Sequence, residues 1–126
     1  MIFIEPQLTP EEYKNIVIET LGEYRPHVQH NIILAKNEET NIGVFNYFSY
    51  GNDTMFLHYC WVKTNKLKCW QEFFEFVKPR FKHIIGVIDS RNKPALIWGL
   101  KTGFEISGMR LDINQNLIIE VIKELI

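Results

Sequence analysis

Only two cysteines, Cys60 and Cys69, occur in the 126 residues. They are too few for a secreted disulfide framework and match no paired metal-ligand spacing, so two reduced packing thiols are expected. Long hydrophobic runs are also missing, since nothing approaches the roughly 20 apolar residues that a membrane helix needs. The amino-terminal MIFIEPQ has neither a basic flank nor a small-residue cleavage site, which points to a soluble, intracellular chain that spans no membrane. Charge of one sign is scarce too. With 14 basic and 15 acidic residues the formal charge is −1, so no whole-molecule field would draw the chain to nucleic acid or an anionic membrane. Any anion site must be local. What is abundant is apolar surface, 46% hydrophobic and 13% aromatic residues, enough to bury one core. The expectation is a single domain over residues 1–126, with no linker, repeat or low-complexity segment.

Met1 to Ile4 reads as a short strand that stops at Pro6. LTPEEYKNIVIETLG then opens a helix, with Thr9 as N-cap, Pro10 at the first helical position and Glu12 completing a capping box. Its predicted buried stripe is Tyr13, Ile16, Val17 and Leu21, and Gly22 is the stop. An irregular EYRPHVQH follows. NIILAKN and NIGVFNYFSY are β-type runs that should pair as a hairpin across polar EET. TMFLHYCWV is a third strand, after the turn residues Gly51, Asn52 and Asp53.

TNKLKCWQEFFEFVKPRF carries Leu67, Trp70, Phe73, Phe74 and Val77 on one helical face, with Thr64 or Asn65 as cap and Pro79 at the end. HIIGVID, an unbroken apolar run, is expected to be a strand buried on both faces. In NKPALIWGLKTGF, Asn92 is the N-cap of a helix, Lys101 suits its negative end and Gly103 is a left-handed stop. GFEISGMRLDI and NLIIEVIKEL read as closing strands joined at Asn114 to Asn116, the last also compatible with a short helix.

The fold class is therefore α/β (α+β), a mixed, mainly antiparallel sheet flanked by helices in the order β-α-β-β-β-α-β-α-β-β. That order, with Asn92, Ala95, Trp98, Lys101, Gly103 and Phe104 in register, resembles the GNAT N-acetyltransferases over essentially the whole chain. EYRPHVQH then stands for a shortened second helix of that family.

The resemblance implies three pieces of machinery. One is a Gly-rich loop whose backbone N–H groups and following helix hold the acetyl-CoA pyrophosphate. Its counterpart, KTNKLK, has no glycine, so the loop signature is absent. Lys66 and Lys68, near a helix start where positive charge is unfavourable by roughly 0.3–1 kcal/mol without an anion, mark either a residual phosphate site or solvated surface. The implied cofactor contacts are Val62, Lys66, Lys68 and Asn92. The second piece is a Tyr that protonates the departing thiolate; Gly99 stands in its place and suggests close backbone approach by a neighbour or ligand. Tyr59 or Tyr47 could provide a phenol instead. The third is a general base. Strand alternation puts Phe56, His58, Cys60 and Val62 on one face and Met55, Leu57, Tyr59 and Trp61 on the other. His58 is the candidate base, or else a hydrogen-bonded structural histidine.

Other constellations are thinner. His27 and His30 offer two metal ligands but no further cluster completes a site, and Cys60 has no evident catalytic partner. Phe45, Tyr47, Phe48 and Tyr50 lack the interleaved basic residues of a base-stacking platform. The eroded loop and missing Tyr are also similar to short GNAT-like proteins of tailed phages. That likeness implies a non-catalytic role in virion (head) assembly, with a virion protein as partner and host cytoplasm or virion as location. The alternative is an acetyl-CoA-dependent N-acetyltransferase acting on an amine. An exposed edge strand and several aromatics also permit a homodimer.

Overall fold

The structure, a computed structural model, describes residues 1–24 and 31–126. The elements are β1 (Ile2–Ile4), α1 (Pro10–Leu21), β2 (Asn31–Asn37), β3 (Thr40–Tyr50), β4 (Thr54–Val62), α2 (Lys66–Val77), β5 (His83–Asp89), α3 (Lys93–Lys101), β6 (Glu105–Leu111) and β7 (Leu117–Glu124). Their order is the one expected from the sequence. The final segment is a strand, as its β-branched Ile118, Ile119, Val121 and Ile122 favour. The shortened second helix, and His27 and His30, lie outside the described residues, apart from Glu23 and Tyr24. Among the described residues no three potential metal ligands cluster, no helix is long and apolar enough to cross a membrane, and both cysteines are free.

The chain divides into two compact units, residues 1–48 with 58–76, and residues 49–57 with 77–126. In the first, the strand order is β1-β2-β3-β4, with β1–β2 and β2–β3 antiparallel. The α1 capping box forms as read, with Glu12 N–H donating to Thr9 Oγ1 over 3.2 Å and Thr9 N–H to Glu12 Oε1 over 3.1 Å. Such a cap contributes about 1 kcal/mol. Tyr13 and Val17 of α1 then bury against Ile32, Leu34 and Val44, with Ile16 and Leu21 only partly buried at the edge.

Odd-numbered β3 residues face α2 instead, because side chains alternate across a strand. Phe45 stacks on Phe73 at 3.9 Å between ring centroids, and Trp70 meets Phe45 edge-on at 5.0 Å. A ring such as Phe73, fully buried, stabilises the fold by roughly 1.5–3 kcal/mol. The α2 stripe is shifted from the expected one. Cys69 is fully buried and Leu67 is 47% exposed, because Leu67 falls in the first turn, before the helix reaches the sheet.

In the second unit, residues Thr54–Leu57 of β4 run parallel to β5 (Thr54↔His83, Leu57↔Gly86). Antiparallel β7 follows β5, and β6 follows β7, giving the order β4-β5-β7-β6 with an irregularity between Ile106 and Gly108. Helix α3 is capped by Asn92, whose Oδ1 accepts from Ala95 N–H at 3.3 Å. Gly103, at φ 100°, ends it in the left-handed region as expected. The expectation of a strand buried on both faces fails for β5. Only Ile84 is fully buried and Val87 is 36% exposed. An apolar run reports β-propensity as well as burial, so it does not require two covered faces.

Candidate functional site

The junction of β4 and α2 is built from Val62 to Lys68. Val62, buried, closes the strand. Lys63 N–H then donates to the Ile42 carbonyl over 2.7 Å, which pins the chain as it leaves the sheet. Two residues later Asn65 takes φ 51°, a left-handed conformation, and the chain turns directly into helix at Lys66. The first bond of α2 is Cys69 N–H to the Asn65 carbonyl, 2.9 Å, so the amides of Lys66, Leu67 and Lys68 precede the intrahelical ladder. A left-handed residue followed by helical ones turns successive N–H groups towards one point, an anion-binding nest at the positive end of a helix dipole.

The segment lacks glycine, yet it contains one left-handed residue. Asn is the residue other than Gly that enters the left-handed region at least cost, and Asn65 does so here. Sequence reading missed this residue as a site element, assigning it only as a cap. The surrounding charge fits an anion: Lys63, Lys66 and Lys68 are exposed, and the first turn of α2 holds no carboxylate. These residues fit a diphosphate by chemistry, with amide and ammonium donors only.

Further back on β4, His58 is exposed and its ring lies 6.2 Å from that of Tyr59, edge to face. Tyr59 is half-buried and packs against Trp61 at 6.1 Å. Trp61 is itself held by α1, its Nε1 donating to Thr20 Oγ1 over 2.7 Å. The Tyr59 carbonyl accepts from the buried Asn46 Nδ2. His58 and Tyr59 therefore project from a segment anchored on both sides. Of the two tyrosines considered as phenol donors, Tyr47 is buried and donates to the Glu5 carboxylate, whereas Tyr59 is half-buried. Cys60 is a poor nucleophile, because burial pushes its thiol up to about 12 and a thiol, unlike a thiolate, attacks slowly.

In the second unit, Asn92 is exposed and its side-chain oxygen is committed to the Ala95 amide. Any ligand contact would fall to its Nδ2 donor. Among the described residues, no neighbouring element approaches the Gly99 backbone closely. A Cβ there would meet Ile88 Cδ1 at 3.8 Å and Phe104 Cβ at 4.0 Å, ordinary contact distances.

No protein-family model and no curated protein sequence matches this chain. Solved structures do match, and they show the fold, which is that of the GNAT acetyltransferases. A GNAT family acetyltransferase from Elizabethkingia anophelis with acetyl-CoA bound superposes with a TM-score of 0.70 at 16% identity, over 98% of this chain and 97% of that one. The IAA acetyltransferase from Bacillus cereus gives 0.68 at 14% identity, over 98% and 99%. An acetyltransferase of the GNAT family from Streptococcus pneumoniae gives 0.62 at 16%, over 94% and 77%. At these identities the likeness is one of fold. All three are described as acetyltransferases, and the expected virion-assembly role finds no support in the fold.

Proposed function

We propose that this protein transfers an acetyl group from acetyl-CoA to an amine. The observation that supports the reading is the β4–α2 junction, where the left-handed Asn65, the leading amides of α2 and three exposed lysines occur together, a set of donors suited to a diphosphate. Lys66 and Lys68 carry charge where the helix dipole disfavours it, a penalty that a bound phosphate removes. Val62, at the strand end, would border the arm of the cofactor.

Acetyl-CoA supplies an activated thioester carbonyl. His58 accepts the proton that the amine loses as its nitrogen bonds to that carbon, and Tyr59 returns a proton to the departing sulfur. Side chains of adjacent strand residues start out towards opposite faces, and what supports a shared reaction centre is the 6.2 Å between the two ring centroids. With the Cys60 thiol pushed up to about 12, transfer runs directly to the amine without an acyl-cysteine.

The test is thiol release from acetyl-CoA in the presence of polyamines, peptide α-amines and small aryl amines. At least one class should be turned over. His58→Ala should lower kcat by about 10²-fold or more, and Tyr59→Phe by a similar factor. A chain that releases no thiol with any amine, or whose turnover is unchanged in both variants, contradicts the reading.

A further inference from the structure

Two exposed apolar surfaces of the second unit remain without a role, and both lie on one face of its sheet. The first is on the outer strands. Ile106, Met109, Leu111 and Leu117 are 43, 60, 59 and 38% exposed. Cross-strand partners share a face, and Met109 pairs with Ile119, which pairs with Ile88, the residue that touches α3 at Gly99. Ile106 pairs with Val121 and Leu111 with Leu117 in the same set. This strip is therefore on the α3 side of the sheet. The charges of β6 point elsewhere: Arg110, opposite Ile118, is tied to Glu120 on the other face.

The second surface is α3 itself. A helix apolar all round belongs in an interior, yet α3 has no fully buried residue, and Ile97 and Leu100 are 63 and 46% exposed. Ile97, two residues from sheet-facing Gly99, is on the opposite side of the helix.

We infer that the chain forms a two-fold dimer in which α3 of each copy lies on the β6–β7 strip of the other. The two surfaces suit each other in kind, since among the described residues the strip is a sheet face that no helix covers and the outer side of α3 is a helix stripe that no sheet covers. Two-fold symmetry satisfies both at once, residue i meeting j and j meeting i, with the pair of helices layered between two sheets. At the rim, α3 is bounded by Lys93 and Lys101 and holds no acid, and the acid that follows β6 at the end of the strip, Asp112, is of opposite sign. The size is also adequate. The six side chains present on the order of 500 Å² of apolar surface, against the somewhat more than half of about 800 Å² per partner that is apolar in a standard interface. The β6 edge is not the contact, because the irregularity at Ile106–Gly108 guards it against strand addition.

Sedimentation velocity on the intact chain from about 1 to about 100 µM should show mass-action conversion from monomer to dimer. Ile97→Glu and Met109→Glu should each abolish the dimer while leaving the circular dichroism spectrum unchanged, since both positions are exposed. Contact between α3 and the strip is read by mixing Ile97→Cys with Met109→Cys chains under mild oxidation, which should give the mixed disulfide. A monomer throughout that range overturns the inference and assigns the surface to a different partner. A dimer that both Glu variants retain, or one that yields no mixed disulfide, overturns it as well.

Discussion

The Asn46 side chain donates through Nδ2 to the Tyr59 carbonyl over 2.9 Å. Its Oδ1 accepts the Tyr13 phenol at 3.1 Å, and the residue is fully buried. One amide thus ties α1, β3 and the segment of β4 that carries His58 and Tyr59. Asn46→Ala should cost about 1–3 kcal/mol by removing both of these hydrogen bonds from a fully buried position. Asn46→Asp should cost more, because a carboxylate cannot donate and would be buried. Urea unfolding measures both; an Ala variant as stable as the parent would show that the tie contributes nothing.

Gly99 and Gly103 should respond in opposite ways. Gly99→Ala places a methyl at ordinary contact distance and removes a mid-helix glycine, so stability should hold or rise by up to about 1 kcal/mol. At Gly103, φ is 100° and a Cβ would come within 2.6 Å of Lys123 Nζ; Gly103→Ala should destabilise. Thermal melts of the two variants decide the matter, and the reverse order would contradict the packing described for α3.

Alkaline pH should weaken the fold. Burial pushes the Cys69 thiol up to about 11, and the Cys60 thiol and Tyr13 phenol up to about 12, from ordinary values of 9.0 and 10.0. Raised values mean that folding favours the protonated forms. Their stabilisation is complete below the unfolded-state values and is lost as pH rises from about 9 towards 11 and beyond. Unfolding free energy measured across that range should therefore fall; a rise would show that these groups are not buried as described.

Much of the fold was legible because its signals are local. The Thr9–Glu12 capping box, the Gly103 stop and the Asn92 cap are each specified within a few residues, and each forms as read. Where tertiary context decides, the sequence was less informative. Leu67, read as part of the buried stripe, lies at the surface because helical periodicity does not say which turn first meets the sheet, whereas Cys69 is buried as a packing thiol should be. Continuous apolarity in HIIGVID did not reveal that Val87 would be exposed. At the candidate site, KTNKLK lacks the glycines that usually announce a phosphate loop, and the left-handed turn at Asn65 is a backbone property that residue type only permits. Gly99 misled in the other direction, since a missing side chain indicates room as readily as close contact.

The central claim, that the β4–α2 junction holds the diphosphate of acetyl-CoA, is tested most directly by calorimetric titration of acetyl-CoA into the parent chain and into Asn65→Gly, Asn65→Val, Lys66→Ala and Lys68→Ala. The parent should bind. Asn65→Gly should retain binding because glycine keeps the left-handed turn, whereas Asn65→Val should lose it, since a β-branched residue resists that conformation. Each lysine variant should weaken affinity about two- to five-fold, the range of a charge at a helix terminus. No heat of binding in the parent, or equal affinity in the Gly, Val and lysine variants, would contradict the claim.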